Sequence, residues 1–184
     1  MNIRRFIPLV GAVLFAAPAS AQVSSTEALG AFNAERAMYP GVGPLQWSPQ
    51  LATYAQSWAN HLAEIDRAEH RQLRSDNPLA PGQTAGETIA GPADFPPFTV
   101  SNAIQLWINE KVYYHYDQDD GLAGYSSSPP GCTAPSGAVC GHFLQVIWKN
   151  TQFVGCGSAT ASDGSIYVVC NYIPSGLFSG QKPY

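Results

Sequence analysis

Apolar positions follow two rhythms along this chain, a helical one through much of its first two thirds and a strand-like one near its end. Thr26 to Met38 reads as a first helix, stopped by Pro40 and Gly41. A second is better marked: Ser48 suits an N-cap, Pro49 suits the first turn, and Leu51, Tyr54, Ala55, Trp58, Leu62 and Ile65 share one face. Its polar tail runs to about His70 and gives way to an irregular stretch, Arg71 to Phe98. A third helix starts near Thr99, with Val100, Ala103, Ile104 and Trp107 as its stripe, so Glu110 falls on or beside the buried face. A carboxylate there calls for a cation or several donors.

Gln152 to Ala161 and Ser165 to Tyr172 read as a hairpin around Ser162, Asp163 and Gly164, with the glycine in the left-handed third position. That register sets Cys156 opposite Cys170. The four cysteines admit three pairings. The hairpin favours Cys156 with Cys170 and leaves Cys132 with Cys140 to clamp a loop rich in Ser, Pro and Gly, Gly121 to Gly141. A zinc–thiolate site is the rival reading, disfavoured because no CxxC spacing occurs. Helices first and a cysteine-bounded hairpin last predict an α+β domain. The expected form is a layered α/β/α sandwich with a small antiparallel sheet between helices, not a doubly wound sheet.

Composition changes the picture in one respect, the compartment. Residues 1–21 read as an export signal: Arg4 and Arg5 precede an apolar run from Phe6 to Ala17, and Ala19, Ser20 and Ala21 form a small-residue cleavage site before Gln22. Residues 22–184 are then expected to form one domain. The formal net charge is −4, and loss of the leader makes the remainder more acidic, which argues against nucleic acid as a partner. No later apolar run is as long as a membrane span. The expected location is outside the cytoplasm, in a periplasm or the medium, where disulfides persist.

The stretch GHFLQVIWKN, Gly141 to Asn150, sets the ionisable ring of His142 beside Phe143, Val146, Ile147 and Trp148, and a buried imidazole needs a partner. With it come LATYAQSWAN (Leu51 to Asn60), AGETIA (Ala85 to Ala90), LWINEKVYY (Leu106 to Tyr114), the continuation to GCG at Gly157, and YVVCNYIPSG (Tyr167 to Gly176). In order and spacing these segments resemble the CAP superfamily of cysteine-rich secretory proteins, venom antigens and pathogenesis-related plant proteins, over about Thr26 to Gly176. The resemblance implies a central cleft lined by His70, Glu87, Glu110 and His142. His70 and His142 would be ligands to a divalent metal, zinc first among them, with Glu87 and Glu110 orienting water or accepting imidazole protons. The chain departs from the family in carrying Leu144 where Thr, Ser or Val is common, Leu177 where Asn is usual, and Ile65 where a helix cysteine often stands.

Three function classes follow from that resemblance. One is a binding module for an apolar lipid or sterol. Another is a weak metal-dependent hydrolase in which Glu87 or Glu110 activates water; it lacks an evident nucleophile and a third protein ligand for catalytic zinc. The third is an interaction protein that presents loops to an extracellular protein partner. Tyr113, Tyr114, Tyr116 and Tyr125 recur in a region that contributes to lipid binding in sterol-binding relatives, although ordinary ring packing is the weightier reading. Phe95 to Phe98 reads as connection, and His61 and His115 as surface or satisfied histidines. Binding or interaction is favoured over catalysis.

Overall fold

The computed structural model describes residues 23–91, 99–118, 131–133, 135, 139–178 and 180–184. The expected leader, Tyr125 and the Phe95 to Phe98 stretch lie outside the described residues.

Local chemistry explains where the helices begin. In α1 (Ser25–Arg36) the Ser24 hydroxyl accepts from the Glu27 N–H at 3.3 Å, and in α2 (Pro49–Ile65) the Ser48 hydroxyl accepts from Leu51 N at 3.2 Å. Thr99 caps α3 (Val100–Asn109) in a reciprocal box with Asn102. Helix α2 ends at Ile65, short of the His70 expected, because Asp66 turns left-handed at φ 49° and its carboxylate accepts from the Tyr167 hydroxyl at 2.9 Å. His70 therefore lies on the connection beyond the helix.

Four strands, β1 (Gln46–Trp47), β2 (Gly86–Ala90), β3 (Phe153–Thr160) and β4 (Ile166–Ile173), form one sheet in the order β1-β3-β4-β2. The β3–β4 hairpin has the expected register, Cys156 opposite Cys170, with Gly164 at φ 90° in its turn. The sheet is mixed rather than wholly antiparallel, since β1 runs parallel to β3. That strand reaches β3 from the α1 side, and a two-residue element was too short to leave a period in the sequence. Both disulfides form as expected, Cys132 with Cys140 and Cys156 with Cys170.

One face of the sheet is covered by α1, α3 and the short α4 (Gly141–Val146), through Phe32, Ile104, Trp107, Phe143 and Val146 packed on Val154, Val168 and Tyr172. Leu144 belongs to this core, 1% exposed. The other face is covered by α2, whose Ala55, Ala59 and Leu62 meet Tyr167 and Val169. α2 lies unusually close because β3 carries glycines beneath it: a Cβ at Gly155 would strike the Ala52 backbone nitrogen, and one at Gly157 the Gln56 Cα.

A buried cation ties the first face together. Arg36, 1% exposed, donates from Nε to the Gly43 carbonyl (2.7 Å), from Nη1 to those of Val146 (2.7 Å) and Trp148 (3.0 Å), and from Nη2 to that of Thr151 (2.9 Å). Two of these carbonyls lie at or just past the C-terminal end of α4, where a cation complements the helix dipole. Burial pulls the guanidinium down to about 10, still charged at neutral pH.

Arg36→Met keeps the volume but orphans three buried carbonyls and the part-buried one of Gly43, and should cost about 3–5 kcal/mol in urea unfolding, with Arg36→Lys intermediate. Gly157→Ala, which drives a methyl into helix backbone, should cost at least about 2 kcal/mol by the same measurement, and an unchanged midpoint would refute the close approach.

Candidate functional site

The edge strand β2 alternates between the two faces of the sheet. Thr88 bonds the Tyr172 hydroxyl at 2.9 Å and Ala90 joins the α1/α3/α4 core, while a Cβ at Gly86 would run into the Gln145 side-chain amide of α4. Glu87 and Ile89 face the α2 side, with Glu87 directly opposite Asn171 of β4.

The Glu87 side chain is 1% exposed and fully engaged. Its Oε1 bonds His70 Nδ1 at 2.8 Å and accepts from the Arg71 N–H at 3.0 Å, with Arg74 Nη1 at 3.8 Å; its Oε2 accepts from Asn171 Nδ2 at 3.3 Å. The His70 ring is half exposed. A carboxylate offers only lone pairs, so Nδ1 carries a proton, and a neutral imidazole so held has its lone pair at Nε2.

Glu110 follows α3, where the helix tightens into a 3-10 turn, Glu110–Tyr113. Its Oε1 bonds His142 Nδ1 at 2.6 Å and its Oε2 accepts from Phe143 N at 3.1 Å. Cys140 at the α4 N-cap makes no side-chain cap bond, so Glu110 supplies the acceptor that this first turn lacks. The Cys132–Cys140 bridge anchors the start of α4, and Cys132 pairs with Tyr114 just beyond the turn. The Trp107 ring lies 6.0 Å from His142 and walls one side of the pair.

The four residues therefore stand as two His–Glu pairs, one anchored on β2 through Glu87 and the other at the end of α3 through Glu110. Each ring is held through Nδ1 by a carboxylate, the arrangement that orients metal-ligating histidines, and among the described residues Nε2 of neither ring has a hydrogen-bond partner. Among the described residues no group of three or more His, Cys, Asp or Glu is spaced to hold an ion. An ion at these residues would have at most two imidazoles as protein ligands, fewer than the four of a closed structural site.

Sequence reasoning missed the support of Glu87. Arg71 stacks over Tyr54 at 3.8 Å, and Arg71 Nε, Arg74 Nε and Asn171 Oδ1 are buried without a partner, a polar interior with room in its hydrogen bonding for water or ligand. The one available signal was an asparagine inside the otherwise apolar run of β4. His61 stacks on Trp58 and His115 bonds Thr133, apart from either pair. Tyr114 packs on Phe143 and Tyr116 stacks on Tyr184, as ring packing predicts.

The model of the Cysteine-rich secretory protein family, CAP, matches residues 29–172. Pathogenesis-related protein 1C of Nicotiana tabacum is 38% identical over 165 residues, covering 89% of this chain and 83% of its own. A pathogenesis-related protein 1 of Arabidopsis thaliana is 35% identical over 176 residues, covering 96% and 91%. The crystal structure of NaASP2 with Zn2+ superposes with a TM-score of 0.64 at 18% identity, over 91% of this chain and 87% of that one.

Asn171→Ala removes donors to Glu87 and to the Gly86 carbonyl and should cost about 1–3 kcal/mol in chemical unfolding. Asn171→Asp sets a second carboxylate opposite Glu87 and should cost more; an Asp variant as stable as the Ala variant would contradict the placement.

Proposed function

This chain belongs to the cysteine-rich secretory protein family, and from that premise we propose that it is an extracellular binding module, with a divalent metal ion, zinc first, as ligand of its two imidazoles and an apolar lipid or sterol as its second ligand. The observation that carries binding over hydrolysis is the engagement of the two acids. Glu110 spends one oxygen on His142 and the other on the first turn of α4, and Glu87 is buried under donors on both oxygens. A general base needs an oxygen facing the water it activates, and in either glutamate both oxygens already serve structural donors that such a water would have to share.

Support for the ion is the Nδ1-held geometry of both rings, together with a protein of the same fold crystallised with zinc. His70 and His142 would hold the ion; bound there, it would act as a Lewis acid for an anionic or carbonyl ligand. Glu87 and Glu110 would fix the tautomer and the aim of each ring. The lipid or sterol is carried over from sterol-binding relatives, and an extracellular protein partner is compatible with the same module. Two disulfides and the family support export, and among the described residues no helix is long and apolar enough to cross a membrane.

Zinc calorimetry on the purified protein should show one saturable site. His70→Ala and His142→Ala should each weaken it at least about tenfold, and Glu87→Gln or Glu110→Gln by about ten- to a hundredfold. Affinity unchanged in both histidine variants would reject the ligand assignment. Saturable binding of radiolabelled sterol or fatty acid that persists in folded Glu→Gln variants is the expected result for the lipid, and no binding at micromolar protein would reject it.

A further inference from the structure

A groove of about 730 Å³ runs along the sheet edge beyond the end of β1, apart from both His–Glu pairs. Its size is usual for a small-ligand site. Thr53, Gln56 and Asn60 on the outer flank of α2 form one wall, and Trp47 and Val23 close it from β1 and the segment before α1. Among the described residues none of its lining side chains is charged, in a chain with 9 Lys and Arg and 13 Asp and Glu.

The polar groups of the groove are oriented. β1 pairs with β3 only at Phe153 and Val154, and past it the Gln56 side chain takes the place of a neighbouring strand. Its Oε1 accepts from Ser158 N at 3.2 Å, and its Nε2 donates to the Ser158 carbonyl at 2.7 Å and to Asn60 Oδ1 at 2.9 Å. Two consequences follow. The edge groups of Ser158 are already taken by a side chain, so an added peptide strand could not pair continuously along this edge. The Asn60 amide is fixed with its oxygen toward Gln56, which leaves Nδ2 as a donor to the groove. The Thr53 hydroxyl donates to the Pro49 carbonyl at 3.1 Å and keeps its lone pairs as acceptors.

A donor at Asn60 and an acceptor at Thr53 thus lie two helical turns apart, about 10 Å, along a groove that also holds an indole. Among the described lining side chains a charged ligand would find no counter-charge, Arg71 reaching the lining only by its bond to Ser57 Oγ, and an apolar ligand would strand the amide and hydroxyl. Sugar hydroxyls both donate and accept, and the C–H face of a pyranose complements the negative face of an aromatic ring. We propose that this groove binds a linear neutral oligosaccharide, which packs on Trp47 and is hydrogen-bonded by Asn60 and Thr53.

The test is a titration of the isotope-labelled full chain with cellotetraose and, separately, with N-acetylated chitotetraose, followed by NMR. Saturable shifts at the Asn60 side-chain amide and the Trp47 indole N–H, with the His142 region unmoved, are the expected result for at least one of the two sugars. Asn60→Leu, at an exposed position that should fold, should weaken binding at least tenfold, and Trp47→Ala should do the same. The proposal is overturned if neither sugar shifts these signals at tens of millimolar, if the shifts survive in Asn60→Leu, or if a neutral Ser/Thr peptide saturates the same signals more tightly.

Discussion

Arg36 carries a positive charge into a place that has no carboxylate among its hydrogen-bond partners, only backbone carbonyls, and much of the first face of the sheet is built around that fact. The guanidinium gathers carbonyls from the loop after α1, from the last part of α4 and from the approach to β3. Thr151, whose carbonyl it receives, passes its hydroxyl to the Pro174 carbonyl and accepts from Gln145, and the Gln145 oxygen accepts from Gly176 N. A hydrogen-bonded chain thus runs from the first helix to the segment after the last strand. Arginine suits the task because its fork of donors reaches several acceptors at once and holds its proton despite burial.

The frame reaches one His–Glu pair through α4, and the other pair is placed by separate means. The Glu110–His142 pair is inseparable from helix capping, since one carboxylate both grips the imidazole and supplies the acceptor that α4 lacks. The Glu87–His70 pair is set by strand register, which places Asn171 opposite Glu87, and by the early left-handed end of α2, which releases the chain to bring His70 and Arg71 back over β2. The acids are therefore structural before they are anything else, which is why the molecule reads better as a receiver of ligands than as a catalyst.

Features governed by nearest neighbours were legible in the sequence. Ser48 with Pro49 marks a helix start by local hydrogen bonding and fixed φ, and a period of two suffices to set Cys156 against Cys170. Arg36 was not legible: at the end of an amphipathic helix it reads as a solvated charge, and its carbonyl partners lie up to 115 positions away. Asp66 gave no sign that it would turn left-handed. Glu110 and His142 stood out by their apolar surroundings, His70 and Glu87 only by the family resemblance, and nothing in spacing alone could pair His70 with Glu87 or Glu110 with His142. Leu177 is the reverse case. The resemblance marked it as a departure where Asn is usual, and its φ of 62° lies in the region that asparagine tolerates far better than leucine.

The borrowed cap of α4 has a bearing on the order in which the chain acquires its shape. A helix of six residues cannot nucleate alone in water, because the entropy of fixing its first turn exceeds what so few backbone bonds return. The missing acceptor of Phe143 N arrives from a residue 33 positions earlier, and the far end of the helix is closed by a guanidinium 110 positions away. The segment bearing His142 therefore owes its order to α1 and to the end of α3, contacts so distant in sequence that each closes a long loop before it returns any bonding.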